Sequence, residues 1–329
     1  GLERTSGTLG PESECLVEGV WTDWNITRFT VSHDGRRLVH MRGERSNEWE
    51  LTWYDRSTGA LAPLGYRGNL WRPMLSPDGA RIAIDWSTES TAGDIWVLDP
   101  ANRRETRITR DDGDETGPVW SPDGEWLYFR SATELKRARP NGADEPESLY
   151  RSNRSVIPGS LSADGRELYF MEYGAGSSDI LALDLTTREV RPVLDGDDFE
   201  AEARLSPDGR WLVYSTDASG QMELRIADHP ARRFDRQVSR GGGMEPKWRG
   251  DSGELLFASQ GKFVAVTVEA APDGSPRVGE PAPIGDLPWR RVSTQREFDL
   301  TPEGTRVLLL MQPDGAASAL RLIEGWQPQ

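Results

Sequence analysis

The stretch "GPVWSPDGEWLYFRS", residues 117–131, reads as a strand, a tight turn and a returning strand. In the turn Pro-Asp-Gly, proline presets φ and glycine accepts φ > 0. "EWLYF" then supplies the aromatic and apolar residues of a buried strand. Similar tags recur along the chain: SHDG at 32–35, SPDG at 76–79, SPDG at 121–124, SADG at 162–165, SPDG at 206–209, GDSG at 250–253 and TPEG at 301–304. Successive starts lie 44, 45, 41, 44, 44 and 51 residues apart. A period held over 329 residues marks a repeat array, in which each unit leans on its neighbours.

The second repeat shows the rest of the unit. After "RIAIDW" come the polar loop "STESTAGD", the strand "IWVLD", the turn "PANRRE" and a short strand, "TRIT". Four antiparallel strands per unit of about 40–45 residues make a propeller blade. Seven tags therefore predict an all-β chain, a seven-bladed β-propeller of four-stranded antiparallel blades forming one domain over residues 1–329. The expected blades are 27–64, 70–109, 116–150, 156–194, 201–238, 244–284 and 296–326. The last contains three strands, "FDLT", "RVLLLM" and "ALRLIE". A strand near 14–20, in "ECLVEGV", is expected to close it, because an open ring leaves two unpaired edges.

Composition narrows the function. A net charge of −15 repels phosphate backbones and argues against nucleic-acid binding. One cysteine, Cys15, excludes an internal disulfide and any zinc site built on several thiolates. No apolar run reaches the roughly 18–20 residues that span a bilayer, so no membrane insertion of this chain is expected. "GLERTSGTLGPESE" lacks the charged-then-apolar order of a secretion signal.

The motif W-S-P-D-G followed by an aromatic or aliphatic strand resembles the TolB-type, WD40-like propeller repeat. "ARLSPDGRWLVYSTDASGQMELRIADHP", "RQVSRGGGMEPKWRGDSGELLFASQGKFVAVTVE" and "FDLTPEGTRVLLLM" with "ALRLIEGW" resemble one subgroup. That subgroup is the extracytoplasmic C-terminal propeller of bacterial membrane-anchored serine/threonine kinases and winged-helix regulators. The resemblance implies a periplasmic or otherwise extracytoplasmic sensor module, with a kinase or DNA-binding domain attached in the full-length protein. It carries over no catalytic residue, and the chain has no kinase motif.

Candidate site residues come from counting back along each first strand. Counting the sixth turn from Arg249, the residue before the turn is apolar in every repeat: Val31, Leu75, Trp120, Leu161, Leu205, Trp248 and Leu300. With a strand period of two, the positions two and four before the tag are expected to face the channel. They place Arg28, Arg72, Glu202, Arg204, Glu245, Lys247, Glu297 and Asp299 there, beside the uncharged Thr30, Met74, Val119, Ser160, Gly117 and Pro158. Such charges could bind a zwitterionic or polyhydroxylated ligand, or simply neutralise one another in a wet channel. A metal held by the three glutamates is disfavoured by the nearby bases, and no cofactor is expected. On the irregular loop face, Arg67, Trp71, Trp86, Trp289, Arg290 and Arg291 make an interaction rim, since Trp and Arg dominate interface energetics.

Catalytic motifs fail on inspection. "GDSGE" at 250–254 looks like a serine-protease nucleophile segment, yet it falls in register with the tags. A serine nucleophile also needs a positioned base, and only His33, His40 and His229 exist. The reading is a non-catalytic binding propeller for a small polar ligand or a protein. The alternatives are a carbohydrate-active enzyme, of lyase or glycoside hydrolase type, using channel carboxylates, and a passive protein-interaction scaffold.

Overall fold

Alternating apolar residues broken by Gly, Pro and Asp turns produce strands throughout, and no helix occurs among the described residues. The structure, a computed structural model, describes residues 22–23, 26–27, 29–31, 37–42, 48–88, 91–110, 113–174, 177–285, 298–313 and 319–324. The chain divides into two units: Trp49–Gln312, and Gly1–Glu48 together with Pro313–Gln329.

The unit Trp49–Gln312 contains six antiparallel blades, labelled A to F. Blade C comprises Glu115–Trp120, Leu127–Ser131, Glu134–Ala138 and Glu147–Arg151. Blade D comprises Ser155–Leu161, Glu167–Gly174, Ser177–Asp184 and Val190–Leu194. Blade E comprises Glu200–Leu205, Trp211–Thr216, Glu223–Asp228 and Asp235–Gln237. Blade F comprises Met244–Trp248, Glu254–Ser259 and Lys262–Ala270, with Pro276–Val278 and Ala282–Pro283 both paired to the third strand.

Blades A and B share one long strand, Leu61–Leu75. Its first part pairs with Trp49–Asp55, and residues 69–75 pair with Ile82–Thr88. Blade B continues through Thr91–Asp99 and Arg104–Arg107. Blade A is assembled from both ends of the unit: Asp299–Leu300 and Arg306–Met311, then Trp49–Asp55, then the start of the long strand.

Six apolar clusters fill the gaps between successive blades. Leu205, Leu212 and Tyr214 of E meet Tyr169, Ile180 and Leu194 of D. Trp211 and Val213 on the other face of E meet Leu255 and Phe257 of F. Clusters of the same kind join A to B, B to C and C to D. The sixth joins F to A, through Leu256 and Phe263 against Phe298, Val307 and Leu309, and so closes the cycle. Each fully buried large side chain, such as Tyr169 or Phe257, contributes about 1.5–3 kcal/mol by leaving water.

Strand partners differ from the expected ones. Among the described residues of this unit there are six blades, and the strands of the first expected blade are divided between the two units. Trp49–Asp55 pairs with Arg306–Met311, not with Arg37–Arg42, and Ala319–Glu324 pairs with Arg37–Arg42. Counting tags assigns strands by chain proximity, whereas pairing follows burial. Leu51 fills the A–B gap with Leu308 and Leu310, while Tyr54 fills the F–A gap with Val307 and Leu309. In the other unit, Phe29–Val31, Arg37–Arg42 and Ala319–Glu324 form a three-stranded antiparallel sheet, and Thr22–Asp23 pairs with Ile26–Thr27. The expected closing strand near 14–20 and the SHDG tag at 32–35 lie outside the described residues.

Candidate functional site

The tags fix one end of each inner strand by local bonds. In blade E, Ser206 Oγ donates to Asp208 Oδ1 at 2.6 Å and accepts from Trp211 N at 3.0 Å. Gly209 N donates to Ser206 O and Ser206 N to Trp211 O, both at 2.8 Å. The same set recurs at 76–81, 121–126 and 162–167. The serine hydroxyl holds the Asp78, Asp123 and Asp164 carboxyls below the usual carboxylate range. In blade F the equivalent turn is Arg249 to Ser252, with Ser252 at φ +62°, where the other tags carry glycine. Ser252 is buried, and its hydroxyl accepts from Asp208 N at 3.1 Å. It is a turn residue.

The other end of each inner strand carries a bulge. Register slips by one residue between Trp71 and Met74, Thr116 and Val119, Pro158 and Ser160, Ala201 and Arg204, and Met244 and Lys247. Arg72, Gly117, Glu202 and Glu245, each four residues before its turn (Arg249 opening that of blade F), have positive φ of 47°, 71°, 55° and 58°. An extra residue at a bulge re-aims its side chain, so strict alternation fails there. Glu202 reaches across to blade F, where Oε2 accepts from Glu245 N at 2.7 Å and also from Ser215 Oγ at 2.6 Å. In the same way, Asp85 of blade B accepts from Gly117 N of blade C at 3.0 Å, and from Arg72 and Thr116. Burial pushes the Asp85 carboxyl up to about 6, against the lowering pull of Arg72.

Between these ends lies an axial cavity of about 220 Å³. The positions two before the tag converge on it from all six blades: Met74, Val119, Ser160, Arg204, Lys247 and Asp299. Leu75, Trp120, Leu161, Leu205 and Trp248, the next residues along five of these strands, join them, together with Pro77, Pro122, Pro207 and Pro246. The tag prolines put the cavity at the tag end of the strands rather than on the irregular loop face. Arg72, Glu202 and Glu245, expected in the channel, are not among the residues that line this cavity; at the bulge the side chains of Arg72 and Glu202 tie neighbouring blades together. Arg28 and Glu297 lie outside the described residues.

Asp299 is buried and doubly held, with Oδ2 accepting from Leu75 N at 2.6 Å and Oδ1 from Leu300 N at 2.9 Å. Ser160 Oγ plays the equivalent part for Leu205 N, at 3.0 Å. Indole N–H groups tie two further pairs, Trp120 Nε1 to Met74 O at 3.1 Å and Trp248 Nε1 to Arg204 O at 3.3 Å. Burial raises the Asp299 pKa, while Lys247 and, more weakly, Arg204 pull it down. Among the described residues both cations therefore share the wall with Asp299.

Of the expected rim, Arg67 ion-pairs with Glu50 at 3.0 Å, and Trp71 Nε1 donates to Asn69 Oδ1 at 3.1 Å. Trp86 packs on the A–B core with its ring 5.4 Å from that of Trp96. Trp289, Arg290 and Arg291 lie outside the described residues. His229 sits between Tyr169 OH at 2.7 Å and Gly209 O at 3.1 Å. Among the described residues no group of three or more His, Cys, Asp or Glu side chains is placed to hold a metal ion. Sequence reasoning missed Asp85 and the proline lining. The prolines were legible, since the same tag position repeats.

No family model matches the chain. Among curated proteins it is 34% identical over 87 residues to the Tol-Pal system protein TolB of Anaeromyxobacter dehalogenans, covering 26% of this chain and 20% of that protein. It is 21% identical over 200 residues to the uncharacterised peptidase YuxL of Bacillus subtilis, covering 58% of this chain and 29% of that protein. The chain thus matches less than a third of the length of either relative. Among solved structures, a TolB candidate from Agrobacterium tumefaciens superposes with a TM-score of 0.65 at 14% identity, over 80% of this chain and 98% of that one. An oligogalacturonate lyase in complex with manganese gives 0.54 at 15% identity, over 86% and 83%. The fold is that of a TolB-type β-propeller.

Proposed function

We propose that the chain is a non-catalytic binding propeller that takes a small polar ligand or a protein group at the tag-side mouth of its axis. The observation that carries this reading is the division of labour among the inner charges. Of the carboxylates an acid–base mechanism would draw on, Glu202, Glu245, Glu297 and Asp299, two accept from backbone N–H groups and tie blades together: Glu202 and Asp299. Arg204 and Lys247 instead line a cavity walled by Trp, Leu and Pro. Acid–base catalysis requires a donor and an acceptor free to reach the substrate, whereas binding requires a shaped apolar pocket with a few polar anchors. The TolB-type fold supports a protein-binding role and an extracytoplasmic setting. The resemblance to kinase-linked propellers supports a place in a signalling protein.

The lyase alternative draws on likeness of fold alone, and fold does not carry function. The test is a calorimetric screen of amino acids, acidic oligosaccharides and short peptides, with product analysis of every sample. Saturable binding without product, weakened by Arg204→Gln, is the expected result. Product that forms with the parent protein and vanishes in Glu245→Gln overturns the reading.

A further inference from the structure

We infer that His229 is a pH-operated brace between blades D and E. Its imidazolium ties the tag of E to Tyr169 of D, and the neutral ring breaks that chain of bonds. The protons can be counted. Gly209 O only accepts, so His229 Nδ1, 3.1 Å away, carries a hydrogen. On the other side of the ring, Tyr169 OH lies 2.7 Å from Nε2 and 2.8 Å from Glu167 Oε2. The phenol has one proton for these two neighbours. Beside a neutral ring it donates to Nε2 or to Glu167, and the contact left without it sets lone pair against lone pair. An imidazolium carries a hydrogen on both nitrogens. Nε2 then donates to the phenol oxygen and the phenol donates to Glu167. Arg191 Nη2, at 3.2 Å, donates to the second lone pair of that oxygen. Each contact in the chain becomes a hydrogen bond.

The groups around the ring leave the switching to the imidazole. Burial, then the bond to Glu167, pushes the Tyr169 phenol up, so it keeps its proton. Glu167 is paired with Arg191 at 2.8 Å. Asp164, Arg166 and Asp184 of blade D line the same groove as His229. The Ser162 hydroxyl holds Asp164 below the usual carboxylate range, and the Thr187 and Thr186 amides do the same for Asp184. On blade E, Asp228 pairs with Arg233 at 3.2 Å and Asp208 with Arg210 at 2.6 Å. Among these kinds of side chain, imidazole is the one that changes charge between about pH 5 and 8.

The brace sits where two blades meet. Tyr169 is fully buried in the apolar cluster between D and E, and Gly209 is the tag glycine of E. His229 N also donates to Arg210 O at 2.8 Å, which fixes its backbone whatever the ring does. Losing the ring proton therefore changes the side-chain chain of bonds and leaves that anchor in place. The groove beside the ring, about 500 Å³, shares Leu205 with the axial cavity, so the seam borders the mouth.

The full chain, labelled with 15N at histidine and in the backbone, is followed by NMR from about pH 5 to 9. Signals missing from His229→Gln assign the ring. In acid both ring nitrogens are expected to carry N–H, and in base Nδ1 alone. The amides of Leu168–Phe170 in blade D and of Gly209 should shift with the same midpoint, and should not do so in His229→Gln. Tyr169→Phe, which removes only the hydroxyl, should abolish the blade D response and keep that of Gly209. A neutral ring with its hydrogen on Nε2 overturns the brace, as does a ring that does not titrate over this range. A blade D response that survives in Tyr169→Phe overturns it too. Circular dichroism melting checks that the variants fold. If Tyr169→Phe does not, His229→Gln decides: a blade D response that persists there overturns the brace, and its loss supports it.

Discussion

The two ends of an inner strand are built on different plans. At the tag end of blade E, Ser206, Asp208, Gly209 and Trp211 satisfy one another within five residues of chain. At the bulge end Glu202 crosses to Glu245 N in the next blade, 43 residues away, as Asp85 crosses to Gly117 N, 32 residues away. Local bonds shape a blade. Distant ones set blade against blade, and burial makes each of them expensive to leave unmade.

That contrast is open to test, and the largest effect belongs to the bulge end. Asp85→Ala removes a buried carboxylate and with it the bonds from Arg72, Thr116 and the Gly117 amide. Removing one partner of a buried pair costs about 3–5 kcal/mol, so the urea midpoint should fall steeply. A loss no greater than that of a tag variant would abolish the distinction. Ser206→Ala deletes two side-chain bonds inside one turn and should cost about 2 kcal/mol, with the core of blades B and C still protected in hydrogen exchange.

Glu200, where blade E begins, sharpens the comparison through pH. Burial, with Asp198 and Asp179 nearby, pushes its pKa up to about 7 from 4.5. The folded state then holds a proton that the unfolded chain has released, so stability falls as pH rises from about 4.5 to 7. Glu200→Gln should therefore stabilise the protein at pH 8 by about 1 kcal/mol, discounted for screening by solvent around the exposed Asp198. The gain should fade as pH drops to about 4; denaturation series at the two pH values check it, and a pH-independent gain would contradict the assignment. The smallest effect is expected at the tag surface. Arg210 pairs with Asp208 while 59% exposed, so Arg210→Ala should shift stability by no more than about 0.5 kcal/mol.

The same contrast explains what could be read before the structure. Repeat, turn and antiparallel blade were legible because their determinants are neighbours in sequence. The cavity was half legible. Counting two back from the tag finds Arg204, Lys247 and Asp299, since no irregularity intervenes. Counting four back fails because a bulge does intervene, and Arg72 and Glu202 bond to neighbouring blades. A signal was present at that offset: Gly117 and Pro158 are poor strand residues, and they mark irregular backbone in their own repeats. The make-up of blade A was not legible, because nothing in residues 49–55 announces a partner at 306–311.

Blade A also has a consequence for synthesis. Its two halves are separated by nearly the whole unit, with Trp49–Asp55 emerging early and Arg306–Met311 last. Blades C, D and E can each form on the ribosome from contiguous chain, but the circle stays unlocked until translation passes Met311. Closing so long a loop is slow, and until then Leu51 and Tyr54 lack the neighbours that cover them. Nascent chains stalled before Asp299 should be cut by protease within residues 49–64, and chains stalled well beyond Met311 should resist.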